Sequence, residues 1–142
     1  MGSGVGVGVG VGVGVGTVYN YFTSKDDLTA AYLLEDWSSC IAVIQEVSDG
    51  AETVQLVLQS IFQQLQLFTQ RHQNVFQDPE AAASFSRSYS RYHNLIRDQL
   101  AGPLEKFCQN WFFAEFVAEA MLTWTISGKE FEEIYRIVSR LF

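Results

Sequence analysis

Two imidazoles, two thiols and one pair of spaced carboxylates are the side chains here best suited to chemistry. His72 and His93 are the only histidines. Neither stands in the His-x-x-x-His or Glu-x-x-His spacing with which a helix offers ligands to zinc or to a di-iron centre. Glu115 and Glu119 lie four apart in a helical pattern, so both carboxylates face the same way and a shared metal is conceivable. No histidine accompanies them in the sequence, and they read as surface carboxylates. Cys40 and Cys108, the only cysteines, sit inside apolar helical patterns and read as reduced, buried thiols. There is no Gly-x-Ser-x-Gly elbow to expose a nucleophile. The glycine-rich tract near the start lacks the lysine of a phosphate-binding loop. These residues point away from an enzyme and imply no cofactor.

The stretch from Gly16 to Leu28 carries a different kind of chemistry. It reads as a short helix ending at Phe22, a tight turn, and a second helix opened by Ser24 with Asp27 three residues on, an approximate capping box. Val18 and Phe22 are spaced by four and anchor inward. Thr17, Tyr19, Asn20 and Tyr21 then form a surface of hydroxyls, an amide and rings, with Lys25 at the start of the next helix. Such a surface hydrogen-bonds phosphates and base edges when the short helix lies in a major groove. On chemistry alone an ordinary helix–turn–helix corner with surface tyrosines is the better fit.

The elements that must position these groups are helices throughout. Leu34, Trp37, Ile41 and Ile44 make one apolar stripe, and Asp49-Gly50-Ala51-Glu52 reads as the next helix start. Val54, Val57, Ile61, Leu65 and Phe68 form the second stripe, with Gln55, Gln59, Gln63 and Gln66 outward. Asp78-Pro79 supplies a cap and a proline at the first helical position. Phe85, Tyr89, Tyr92, Ile96 and Leu100 follow, and Gly102-Pro103 interrupts or ends that helix. Asn110 to Thr125 is the most apolar helix. Ser127 with Glu130 reads as a capping box before a last helix of Phe131, Ile134, Val138 and Leu141. No stretch of the body reads as a sheet, so the expected class is all-α.

Composition narrows the partners. Of the 142 residues, 48% are hydrophobic and 14% aromatic, enough for one packed domain and too apolar for a disordered segment. Only 18% are charged, so self-association is an economical way to cover surface. The net charge of −7 excludes bulk electrostatic grip on nucleic acid and leaves only a local patch for DNA. No apolar run reaches the roughly 18 residues of a membrane span, and no cationic start precedes an apolar block. A cytoplasmic protein without membrane contact is expected. Gly and Val alternate from Gly4 to Gly16, a pattern poor for helix and weak for strand, so residues 1–16 read as a low-complexity stub.

Gly16-Thr17-Val18-Tyr19-Asn20-Tyr21-Phe22, followed by Ser24-Lys25-Asp26-Asp27-Leu28, resembles the end of the TetR-family DNA-binding head. There a recognition helix of the form G-T-x-Y-x-Y-F leads through S-K-x-x-L into a long connecting helix. Gly12-Val13-Gly14-Val15 is similar to the turn before that helix. The resemblance implies phosphate contacts from Thr17, Tyr19, Tyr21 and Lys25, and a base or backbone contact from Asn20. It divides the chain into the stub, a head remnant over 17–25, and a ligand-binding and dimerisation domain over 26–142. Two further helices precede the recognition helix in the family, and the Gly/Val stub stands in their place, which implies an incomplete head. The Lys106 to Trp111 connection is also short beside the family's usual loop.

The same resemblance implies a homodimer held by the last two helices, with Phe113, Phe116, Val117, Ala120, Trp124, Phe131, Ile134 and Val138 at the interface; a helix as apolar as Asn110 to Thr125 could instead be the centre of a monomeric core. The resemblance further implies an effector cavity among the middle helices. Phe62, Phe68, Phe85, Tyr89, Tyr92 and His93, together with Phe76, supply aromatic walls with few polar tips. The function expected on this basis is a ligand-responsive repressor, released from operator DNA by a small apolar or aromatic effector. A helical homodimer that binds a small molecule or protein without DNA is the other reading.

Overall fold

The computed structural model describes residues 25–142. Side chains at 25–27, 75, 76, 81, 84, 85, 88, 89 and 91 lie outside what it describes. Within the described residues the chain is all-helical. The α-helices are α1 (Lys25–Gly50), α2 (Val54–Arg71), α3 (Gln73–Gln77), α4 (Pro79–Leu104), α5 (Trp111–Ile126) and α6 (Phe131–Val138), with 3-10 turns at Glu105–Phe107 and Ser139–Leu141. No helix among the described residues is long and apolar enough to cross a membrane.

Helix α1 buries Ala30, Leu33, Trp37, Cys40, Ile44 and Ser48, a continuous stripe at helical spacing. That stripe keeps the expected Trp37 and Ile44 and takes Leu33 and Cys40 in place of Leu34 and Ile41. Leu34 and Ile41 are only half-buried and flank it, because the small Ala30 and Cys40 permit close approach where the larger residues do not. Trp37 sits at the centre. Its ring meets Phe68 edge-on at 5.5 Å, and its Nε1 donates to Gln99 Oε1 at 3.1 Å, so the one polar atom of the indole is satisfied.

The helix continues through Asp49 to Gly50, so Asp49-Gly50 ends α1 and does not open α2. Thr53, in extended conformation, is the true N-cap of α2. Helix α2 buries Val57, Leu58, Ile61, Phe62, Leu65 and Phe68, as its apolar stripe requires. Pro79 opens α4 at the position where its missing N–H costs nothing. Gly102-Pro103 does not stop α4 at once. The helix runs one residue further to Leu104 and then tightens into a 3-10 turn. A polar clamp holds this end against the end of α1. Ser48 Oγ donates to the Pro103 carbonyl at 2.6 Å, and Lys106 Nζ donates to the carbonyls of Ser48 and Ala51. A cation there also complements the negative end of the α1 dipole.

Helix α5 is capped by Asn110, whose Oδ1 accepts from the Phe113 N–H at 2.8 Å. It ends at Ser127. Gly128, with φ of 92°, donates to the Thr125 carbonyl, and Lys129 N–H donates to the Trp124 carbonyl. These are the two bonds of a Schellman turn, and the positive φ is why glycine stands there. The cap of α6 is Glu130, not Ser127: Glu133 Oε1 accepts from the Glu130 N–H at 3.2 Å. Buried Ala114, Val117, Ala118, Met121 and Leu122 place α5 against α2 and α4, and Ile134 and Val138 close the core from α6.

Candidate functional site

Thr17, Tyr19, Asn20 and Tyr21 lie outside the described residues. Lys25 begins α1, but its side chain also falls outside them. The fold therefore bears on the mid-chain aromatic residues, the titratable pairs and the C-terminal helices.

The expected cavity residues separate into three groups. Phe62 and Phe68 are buried in the chain's own core, Phe62 edge-on to Phe131 at 5.5 Å and Phe68 against Trp37 and His72. Both rings pack within the core, because the apolar stripe of α2 that carries them faces α1 and α5. Tyr92 and His93 lie half-buried on α4, away from that core position. The side chains of Phe76, Phe85 and Tyr89 lie outside the described residues.

Both histidines bond carboxylates on neighbouring helices. His72 Nε2 lies 2.6 Å from Asp36 Oδ2, bridging α2 to α1, and Arg71 Nε joins the same oxygen at 3.2 Å. An ionised carboxylate only accepts, so the imidazole donates. The His72 hydrogen bond is the largest influence on Asp36, and with Arg71 it holds that carboxyl below its ordinary range. Arg71 also reaches Cys40 Sγ at 3.1 Å, yet burial dominates there and pushes the Cys40 thiol up. Cys108, half-buried, is raised by burial as well. Neither environment produces a reactive thiolate.

The second histidine overturns part of the sequence picture. A histidine does accompany Glu115 and Glu119, but it comes from another helix. His93 Nε2 meets Glu119 Oε1 at 2.7 Å, and Arg97 reaches Glu115 Oε2 at 3.1 Å. His93 and Arg97 are spaced by four on α4, and the two glutamates are spaced by four on α5. The result is a two-rung polar ladder between the helices. Burial pushes the Glu119 carboxyl up, but hydrogen bonds from His93 and Thr123 outweigh it and hold it below the ordinary range. Among the described residues no group of three or more metal-binding side chains forms. The ladder ties α4 to α5.

The expected dimer residues also divide. Val117, Ile134 and Val138 are 0%, 1% and 1% exposed, packed into the chain's own core. The last helix is amphipathic and turns Ile134 and Val138 inward, whereas α5 is apolar nearly all round, with Ala114, Val117, Ala118, Met121 and Leu122 inward and Phe112 and Phe116 left outside. Phe113, Ala120, Trp124 and Phe131 are half-buried, Phe113 against Phe142 and Phe131 stacked on Tyr135. Phe116 is 57% exposed. Its neighbour one turn earlier, Phe112, is 74% exposed, and Ile137, Leu141 and Phe142 are each exposed by two-fifths or more. Phe142 meets Phe113 and Ile137 lies by Trp124, so the end of the chain runs along the Phe113–Trp124 side of α5. Trp124, Lys129, Glu133, Ile134 and Ile137 line a shallow groove at its far end. Phe112, Ile137, Leu141 and Phe142 are absent from the expected interface. The signal for Phe112 was present, since it lies four residues before Phe116 and on the opposite side of the helix from Ala114 and Met121.

Comparison with known protein families, with curated proteins and with solved structures finds no match to this chain.

Proposed function

We propose that this chain is the dimerising and effector-binding body of a TetR-type transcriptional repressor. The observation that carries the reading is the set of exposed apolar side chains at the C-terminal end of the fold, Phe112 and Phe116 on α5, Ile137 on α6, and Leu141 and Phe142 just after it. Large exposed aromatics so close together are an interaction surface more often than a solvent surface. The Gly16–Leu28 motif supports the DNA-binding half of the reading, with Thr17, Tyr19, Asn20, Tyr21 and Lys25 as the groove contacts. In this account two bodies pair and set the distance between two recognition helices, and a small apolar or aromatic effector shifts the pair to a spacing that mismatches the half-sites.

A homodimeric binding module that does not touch DNA is the second reading, and the net charge of −7 favours it. A gel shift distinguishes the two, using the DNA upstream of the encoding gene with this chain and with a chain given a complete helix–turn–helix head. The repressor reading expects the completed head to shift that DNA and Tyr19→Ala to weaken the shift. No shift with the completed head contradicts it.

A further inference from the structure

The groove between the Schellman turn and the last helix carries two opposite charges that do not pair with each other. Gly128 reverses the chain at φ of 92°, and the Lys129 N–H is fixed to the Trp124 carbonyl at 3.0 Å. Helix α6 thereby folds back past the end of α5, and Ile134 and Ile137 share a groove with Trp124. Ile134 is fully buried, Trp124 half-buried and Ile137 exposed by about half, so the floor and walls are apolar.

Lys129 and Glu133 line the same groove. Among the described residues no hydrogen bond or ion pair engages Lys129 Nζ. Glu133 is held in place, since its Oε1 accepts from the Glu130 N–H at 3.2 Å. A carboxylate has about four lone-pair sites, so Oε2 remains available to accept from a ligand.

We propose that this groove binds a free α-amino acid with an aliphatic side chain. Lys129 meets its carboxylate, Glu133 its ammonium, and Trp124, Ile134 and Ile137 its side chain. An apolar acid would set its carboxylate near Glu133, and an apolar amine would set its ammonium near Lys129, and like charges held close repel. A zwitterion satisfies both. The void is about 180 Å³. That is below the roughly 300 Å³ at which pockets for drug-sized ligands begin and equals the liquid volume of about six waters, so the occupant is small. This site is separate from the mid-chain aromatic residues and does not rest on the repressor reading.

Equilibrium dialysis of the full chain against labelled L-leucine tests the proposal, with glycine, N-acetyl-leucine and leucinamide as competitors. Saturable binding with a Kd of about 1 mM or tighter is expected. The competitors lack the side chain, the ammonium and the carboxylate respectively, and each should compete at least about fivefold more weakly than leucine. Lys129→Gln and Glu133→Gln remove the charges singly, with folding checked by circular dichroism. The glutamine oxygen still accepts from the Glu130 N–H, so the cap of α6 survives. Each variant should weaken leucine at least about fivefold. Lys129→Gln should leave leucinamide unchanged, and Glu133→Gln should leave N-acetyl-leucine unchanged. That crossed pattern assigns each charge to one end of the ligand, which a general loss of structure does not produce. No saturable binding up to about 10 mM, an analogue that competes as well as leucine, or variants that weaken every ligand equally overturns the proposal.

Discussion

Phe116 and Val117 are consecutive in sequence, and their substitution by alanine is expected to have opposite consequences. Val117 is fully buried in α5 between α2 and α4. Val117→Ala removes two methyl groups at about 0.8 kcal/mol each and leaves a small cavity. The expected cost is roughly 1.5–2.5 kcal/mol, a fall in Tm of about 4–10 °C for a domain of this size. Phe116 is 57% exposed, so Phe116→Ala changes the stability of the isolated chain by less than about 0.5 kcal/mol. Its effect is on association. A paired chain unfolds at a midpoint that rises with protein concentration, and loss of pairing removes that rise. The assay is urea unfolding of wild type and both variants over a hundredfold range of concentration. Val117→Ala should shift the curve at every concentration, whereas Phe116→Ala should match wild type when dilute and fall below it when concentrated. Equal losses from both variants in the dilute limit would show that Phe116 is packed within the chain and refute the assignment of its face.

Three further outcomes follow from particular side chains. Asp36 has its folded pKa lowered from the ordinary 3.8, chiefly by the His72 hydrogen bond, so its contribution is complete above that value and is lost as pH falls through the folded one. Asp36→Asn should therefore lower the urea midpoint near pH 6 and flatten its decline below about pH 4, a difference that disappears if the pair does not form. Thr125 Oγ1 is buried without a hydrogen-bond partner, so Thr125→Val should raise stability by about 1 kcal/mol in thermal unfolding, and a loss instead would reveal a partner for the hydroxyl. Gly128 sits at φ of 92°, and although a Cβ there meets open space, Gly128→Ala should cost roughly 1–2 kcal/mol through backbone strain, with no loss if the Schellman turn is absent.

Helical class and the α2 stripe were legible because Val57, Ile61, Leu65 and Phe68 repeat at one spacing with glutamines opposite. The α1 face was ambiguous in sequence: Leu33 and Leu34 are equally apolar, and only the packing of small Ala30 and Cys40 selects Leu33. Helix ends differ from the sequence expectation where two caps compete. Asp49 and Ser127 are both good N-cap residues, yet each lies in the last turns of a preceding helix, where hydrogen bonding decides. The same limit applies to the candidate site. The resemblance places Val117, Ile134 and Val138 at an interface, while the structure packs all three into the chain's own core, the other role open to so apolar a helix. Phe112 and Phe116 are what that packing leaves exposed. The His93–Glu119 contact joins residues on different helices, and no local spacing announces it.

The central claim is that the α5–α6 face holds two copies together, and sedimentation equilibrium tests it most directly. The wild-type chain is expected to move from 16.0 kDa toward twice that mass as concentration rises through the micromolar range, about −8 kcal/mol of association. A Phe112→Ser, Phe116→Ser chain should remain at the monomer mass throughout with an unchanged dilute unfolding midpoint. A wild type that stays monomeric, or a double variant that pairs as well as wild type, contradicts the account.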